Sequence, residues 1–295
     1  MNSVKDALRE IEELTRDAGT EPMETTLPGV LIIKGEVPAH QLAAVYEPII
    51  GFTLSGTKVI SIGDEVIHAT SPSYYVIPTD IPATGLVRQG VGGRPYLSAG
   101  LKINLASLLT LLKDLPQEPG VERDQSFSAC TASPEFIEVW LRLFRLLKSP
   151  KDIPALFPAY EREILYHVLS GPQGWRLRQL CLLNGKTPGI HQAVKWIRNN
   201  FTKAIDIKPI AQKWGMGVTT FHRRFKLVTG LSPIQFQKQL RLLEARRLIS
   251  YEGFAVASAA YEVGYQSASQ FNREYTRFFG ASPARDTAKL KNLVR

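Results

Sequence analysis

Histidine, methionine and cysteine are scarce in this chain of 295 residues, at five, three and two, and no apolar run approaches the roughly eighteen residues of a membrane-spanning helix. Each shortage removes a class of function. Cys130 and Cys181 lie far apart in sequence and in no metal-binding spacing, so they read as ordinary buried or half-buried thiols. A metal centre inside a small β-barrel needs two histidines one residue apart, a following Glu and a later His, because three or four ligands must converge on one ion. His40 and His68 instead stand alone, and no metal is expected. A G-x-S-x-G elbow, a P-loop and a G-x-G-x-x-G fingerprint are all missing, so neither acyl nor phosphoryl chemistry nor dinucleotide binding is indicated. No cofactor, catalytic residue or enzymatic activity is expected. The first twenty residues carry Glu10, Glu12 and Glu13 and no apolar core, unlike a secretory signal, which points to the cytoplasm.

Charge, by contrast, is plentiful and uneven. The net charge is +9, yet 18 of the 36 Lys and Arg lie in residues 191–295 against 6 of the 27 acids, giving +12 there and −3 in the rest. A basic C-terminal part suits a phosphate-bearing partner. A membrane surface would suit the same sum, but no strongly basic helix has an unbroken apolar face.

The same region holds a degenerate repeat. Ala211 through Pro233 and Ala260 through Pro283 each read as a helix, a sharp turn at Gly215 or Gly264, and a second helix. Arg223, Phe225, Gly230 and Pro233 of the first copy meet Arg273, Tyr275, Gly280 and Pro283 of the second. Helical spacing puts Phe221, Phe225 and Val228 on one stripe, with Thr219, His222, Arg223 and Lys226 on another. In the second copy Phe271, Tyr275 and Phe278 form the buried stripe, leaving Ser269, Asn272, Arg273 and Arg277 outward. Short hydrogen-bonding groups followed by Arg suit base edges, and the cations beyond them, Lys226 and Arg277, suit phosphates. Ser267 and Gln270 have the spacing of a capping box. A helical repeat array would need roughly three or more units to bury a continuous core, and only two are visible.

Ile210 through Pro283 resembles the AraC/XylS family of bacterial transcription regulators. The resemblance rests on both turns, the linker Ser232-Pro233-Ile234-Gln235-Phe236, the run Leu240 through Leu248, and the stretch Val263-Gly264-Tyr265 to Phe271, Tyr275, Phe278-Phe279-Gly280 and Pro283. Two positions depart from the family pattern. Gly217 replaces the usual Ser or Thr cap, at a cost of a few tenths of a kcal/mol, and Ala259 replaces a larger aliphatic residue. The resemblance implies double-stranded DNA as partner, a small-molecule effector, RNA polymerase contact, homodimerisation, and activation as a mode of action.

Length suggests two domains, here 1–185 and 190–295, the first with a barrel at about 25–103 and helices at about 104–185. The expected fold class is α+β, with an N-terminal cupin-like β-barrel and a C-terminal all-α domain of two helix-turn-helix motifs joined by a linker helix. Runs at 30–33, 49–54, 58–62, 74–77 and 96–103, divided by Ser55-Gly56, Gly63-Asp64 and Gly92-Gly93, predict a small antiparallel barrel or sandwich. Their order resembles the cupin-like domain of one branch of the same family. Strand phase puts Tyr46, Phe52, Tyr75 and Ile77 inside, lining a pocket for a largely apolar ligand.

Helices are predicted at 1–20, 104–113, 136–148 after Ser133-Pro134-Glu135, and 159–170, with an acidic loop at 116–124 and a boundary near 185–189. The apolar residues of 136–148 cover more than one face, which fits packing onto the barrel alone or, as the family resemblance implies, a homodimer contact through Phe136, Trp140, Leu143 and Leu147. Two other functions are compatible with the chain: a constitutive dimeric regulator without ligand, and a catalytic cupin tethered to DNA.

Overall fold

A computed structural model describes residues 2–37, 42–116, 127–185 and 189–293. The chain starts with α1 (Asn2–Leu14), whose Ala7 and Ile11 are buried against α3 (Pro134–Arg145). Ten strands follow among the described residues of the first half: β1 (Met23–Glu24), β2 (Val30–Lys34), β3 (Ala44–Tyr46), β4 (Ile49–Ser55), β5 (Thr57–Ile62), β6 (Glu65–Thr70), β7 (Ser73–Ile77), β8 (Ile81–Arg88), β9 (Leu97–Lys102) and β10 (Ala129–Thr131). Every pairing is antiparallel. Of barrel and sandwich, the chain adopts two separate sheets. One is six-stranded in the order β1-β2-β9-β4-β7-β10 and the other four-stranded in the order β3-β8-β5-β6.

Alternation along the strands divides the core. On β4, Ile50, Phe52 and Leu54 point to the helices, as do Tyr74 and Val76 of β7 and Leu97, Ala99 and Leu101 of β9. The intervening residues face the second sheet. This reverses one expectation: Phe52 lies against Phe136 and Trp140, with ring centroids 5.4 and 5.5 Å away, and does not line a pocket between the sheets.

The helical layer comprises α2 (Leu105–Asp114, capped by Asn104), α3, α4 (Ile153–Ser170) and α5 (Gly174–Gly185). Helix α4 starts six residues before the expected Ala159, because Pro154 falls in the first turn, where it is tolerated, and the helix continues through Pro158. Helix α3 lies between the six-stranded sheet and α1 and α4, which accounts for the width of its apolar surface. Phe136, Trp140 and Leu143 are buried inside the chain as core residues, and Leu147 is half-buried against the same cluster. Most of the acidic loop, residues 186–188 of the boundary and His40 lie outside the described residues.

The C-terminal part is helical throughout: α6 (Gly189–Asn199), α7 (Ile207–Lys213), α8 (Val218–Thr229), α9 (Pro233–Ser250), α10 (Val256–Glu262), α11 (Ala268–Phe279) and α12 (Pro283–Leu293). The core of its first half is continuous with that of the sandwich. Ile60, Ile62, Tyr75 and Phe127 form one buried cluster with Ile190, Phe221, Phe225, Leu231 and Phe236. Among the described residues no helix is long and apolar enough to cross a membrane.

Candidate nucleic-acid interface and effector cavity

The two helix-turn-helix units close their turns identically. Gly215 and Gly264 have φ of +67° and +94°, a left-handed conformation open to glycine without a Cβ clash. Met216 N donates to Ala211 O and Tyr265 N to Ala260 O, both at 2.9 Å, while Gly215 N and Gly264 N donate one residue further on, to Gln212 O and Tyr261 O. This is the Schellman end of a helix made twice. Buried Ala211 and Ala260 sit at the helix crossings, and Met216 and Tyr265 anchor the turns in the core.

The starts of the second helices differ. Gly217 caps α8 with extended backbone and no side-chain bond, whereas Ser267 Oγ accepts from Gln270 N at 3.3 Å on α11. Gln270 does not return the bond; its side chain turns to Glu274, so the expected capping box is half formed. A complete box occurs instead on the linker helix, between Ser232 and Gln235.

Both outer faces are open. On α8, Thr219, Arg223 and Lys226 are exposed and His222 is half-buried, its ring beside Phe221. On α11, Ser269, Asn272, Arg273 and Arg277 are exposed, and Phe271 and Tyr275 are buried with Phe278 half-buried beside them. Among the described residues, none of Arg223, Lys226, Arg273 and Arg277 forms an ion pair, unlike Lys238, Arg246 and Arg247 of α9. These four charges remain available to an external anion.

Residues that hold the units together escaped the sequence reading. From α9, Arg241 donates to the carbonyls of Phe201, Thr202 and Lys203 behind α6 and to Gly264 O in the second turn, spanning both units with one guanidinium. Gln237 donates to Phe201 O and Lys203 O. Arg246 makes a two-pronged bond to Asp286 on α12, which also accepts from Tyr275 OH. The available signal was a set of polar residues at inward positions of the leucine-rich linker.

Between the sheets lies a cavity of about 370 Å³, within the range of small-molecule sites. Leu31, Ile33, Leu42, Ile49 and Tyr75 form its apolar wall, and Tyr46, Lys58 and Ser98 supply polar groups. Glycines at 51 and 100 make room on the six-stranded sheet for the Tyr75 ring and for Ile49. Two of the four expected lining residues, Tyr46 and Tyr75, are therefore at the cavity. Ile77 is buried in the cluster shared with the first helix-turn-helix unit, and Phe52 is on the opposite face. Lys58, which the sequence reading passed over, is 5 % exposed.

A second cavity, about 470 Å³, opens between the sandwich and the linker helix, lined by Ala43, Ala44 and Val45 on one side and by Arg198, Phe201, Leu240 and Leu243 on the other. Ala44 and Val45 of β3 border both cavities. Nearby, Arg198 pairs with Asp80 at 2.7 Å and His191 Nδ1 lies 3.4 Å from Thr79 Oγ1. Burial, with repulsion from Lys195, pushes His191 down to about 4, so it stays neutral in this seam.

Residues 26–176 match the family model for the AraC-type transcriptional regulator N-terminus, and residues 210–288 match a helix-turn-helix domain. Among curated proteins, the chain is similar to the HTH-type transcriptional activator RhaS of Yersinia pestis (strain Pestoides F), 31% identical over 94 residues, covering 32% of this chain and 34% of the relative. It is also similar to RhaS of Salmonella arizonae, 30% identical over 135 residues, covering 45% and 46%. The chain thus spans between a third and a half of the length of these relatives. Among solved structures, unsaturated fatty acid-bound ToxT from Vibrio cholerae strain SCE256 has the same fold over 90% of this chain and 97% of that one, at a TM-score of 0.55 and 10% identity. With the regulator N-terminus matched over more than half of its residues and two helix-turn-helix units behind it, the chain belongs to the AraC-type transcriptional regulators.

Proposed function

We propose that the protein is a sequence-specific regulator of transcription that binds double-stranded DNA through α8 and α11 and answers to a small effector held between its sheets. One observation carries the reading: two helix-turn-helix units of matching turn geometry each present an exposed face of short polar residues, an Arg and a further cation, without internal ion pairs. Thr219, His222 and Arg223 read one segment of the major groove, and Ser269, Asn272 and Arg273 read the next, about 34 Å along the duplex. Arginine pairs with guanine through two bonds and asparagine with adenine. In a genomic setting this gives a homodimer acting at the nucleoid as an activator, through contact with RNA polymerase. The dimer surface lies outside the buried face of α3.

The base-reading role is tested by selecting bound duplexes from a random pool and repeating the measurement with Arg223→Ala and Arg273→Ala. Each substitution is expected to cost about 1–3 kcal/mol on the selected site and to relax preference at one position. Equal weakening on selected and random DNA would reassign both residues to phosphates.

Lys226 and Arg277 sit further along the helices and anchor the backbone in this reading. Lys226→Ala and Arg277→Ala are each expected to weaken all duplexes alike and to lower the salt slope of binding by about one unit. A slope equal to the parent's would show a solvated side chain that never meets DNA.

Effector control follows from the construction of β3, the wall common to both cavities and in contact with α9. Tyr46 at the end of β3 and Tyr75 opposite are the aromatic residues that a ligand would touch. A ligand that shifts β3 alters the seat of the linker helix, and operator DNA must then change ligand affinity by the same factor as ligand changes operator affinity.

A further inference from the structure

We infer that the cavity between the sheets takes an organic anion, a carboxylate or similar acid on an apolar body, with its charge on Lys58. This rests on the effector reading above and specifies its chemistry.

A lysine so deeply buried is costly unless something offsets its charge. Lys58 has no carboxylate partner among the described residues. Its Nζ lies 4.9 Å from the centroid of the Tyr46 ring and 5.7 Å from that of Tyr75, so its immediate neighbours are π faces and phenol oxygens. Two aromatic faces favour a cation without neutralising it. Burial opposes the charge on Lys58 and its contact with the Tyr46 phenol favours it, with a net raise from the ordinary lysine value. The Lys58 amine, held beside the Tyr46 and Tyr75 rings with no carboxylate partner among the described residues, therefore lines a hollow large enough for a ligand.

Surrounding groups fit the same occupant. The rim acids Glu24 and Glu47 are both drawn to Lys102, at 3.2 and 4.0 Å, and neither reaches Lys58. Apart from Ser98, the Tyr46 phenol and the charged rim of Glu24, Glu47 and Lys102, the remaining wall is aliphatic and aromatic, which suits the body of an amphiphilic acid. Tyr46 OH already donates to Leu42 O at 3.2 Å. A neutral apolar ligand would leave the amine buried beneath it with no counter-ion, whereas an acid supplies one.

The test is made on the full chain with matched ligands that differ only in charge: naphthylacetate against naphthylethanol, and phenylbutyrate against phenylbutanol. Binding is followed by calorimetry and by the shift in melting temperature. At least one acid is expected to bind at least about tenfold more tightly than its alcohol. Lys58→Met, which keeps the stem and removes the charge, is expected to bring the two within about threefold while alcohol binding persists, and Lys58→Arg is expected to keep the preference. An acid preference that survives Lys58→Met overturns the assignment, as does equal binding of acid and alcohol by the parent. Failure of all four ligands to bind would also overturn it, and the DNA selection above, run on the same protein, would show separately whether the regulator reading stands. Should Lys58→Met fail to fold, the parent's acid-to-alcohol ratio and the Lys58→Arg variant still decide.

Discussion

Asp286→Ala is expected to cost the C-terminal half about 3–5 kcal/mol, the effect of breaking a buried ion pair on one side. The Asp286 carboxylate accepts from Arg246 Nε and Nη2 at 2.7 and 2.8 Å and from Tyr275 OH at 2.8 Å, and both ion-pair partners are nearly buried. Removing it leaves a guanidinium and a phenol with no acceptor in a core that also holds Phe279, over which Arg246 lies at 4.4 Å. The three groups join α9, α11 and α12, so the second recognition helix should loosen with the pair. Denaturant unfolding should show a lower midpoint for the C-terminal transition, and specific DNA affinity should fall with it although no base-reading residue has changed. Asp286→Asn, which keeps an acceptor, should cost less. A loss below about 1 kcal/mol for Asp286→Ala would mean that water satisfies Arg246 and Tyr275, and that the pair does not hold the unit.

How much of this was legible in the sequence depended on how local the signal was. The helix-turn-helix units were readable because their determinants sit within a dozen residues: a small residue at the crossing, a glycine that must be left-handed, and a stripe at helical spacing. Gly215 and Gly264 then close the same turn in the structure. Strands were readable where they were long. β1, β3 and β10 have two or three residues, too few to show alternation, and β8 contains Pro82 and Gly85, which argue against a strand in isolation. Tertiary pairing overrides that argument, since Pro82 lies against the three-residue β3, where only a short ladder loses a donor.

Strand phase was the weaker inference, as Phe52 and Tyr75 show. Both were placed inside the sheets, yet Phe52 faces the helices and Tyr75 the cavity, because Gly51 beside Phe52 is the inward residue on β4 and its missing side chain is where the Tyr75 ring lies. A glycine at an inward position carries no hydrophobic signal. Lys58 was invisible for the opposite reason: a lysine in a strand reads as solvent-facing, and only its burial beside two tyrosines reveals a binding group. The seam between sandwich and first helix-turn-helix unit could not be read either, since its residues, such as Ile62 and Phe225, look like the separate cores of two domains.

Trp140→Ala is expected to destabilise the N-terminal half by about 3–5 kcal/mol, the range for deleting a large aromatic from a packed core. Trp140 is fully buried, its ring 5.5 Å from Phe52 and 5.7 Å from Phe144 between centroids, with Phe136 completing the stack. The substitution also separates two readings of α3. A dimer-contact residue would leave the monomer's unfolding midpoint unchanged and shift only the association measured by sedimentation, whereas a core residue must lower the midpoint even at concentrations where the protein is monomeric. Phe52→Ala and the double variant complete a cycle. Because the two rings touch, their losses should fall short of additive by about 0.5–1.5 kcal/mol, the part that belongs to the aromatic contact itself. Additive losses, or an unchanged midpoint in Trp140→Ala with weakened association, would return α3 to the dimer surface and place the sandwich core elsewhere.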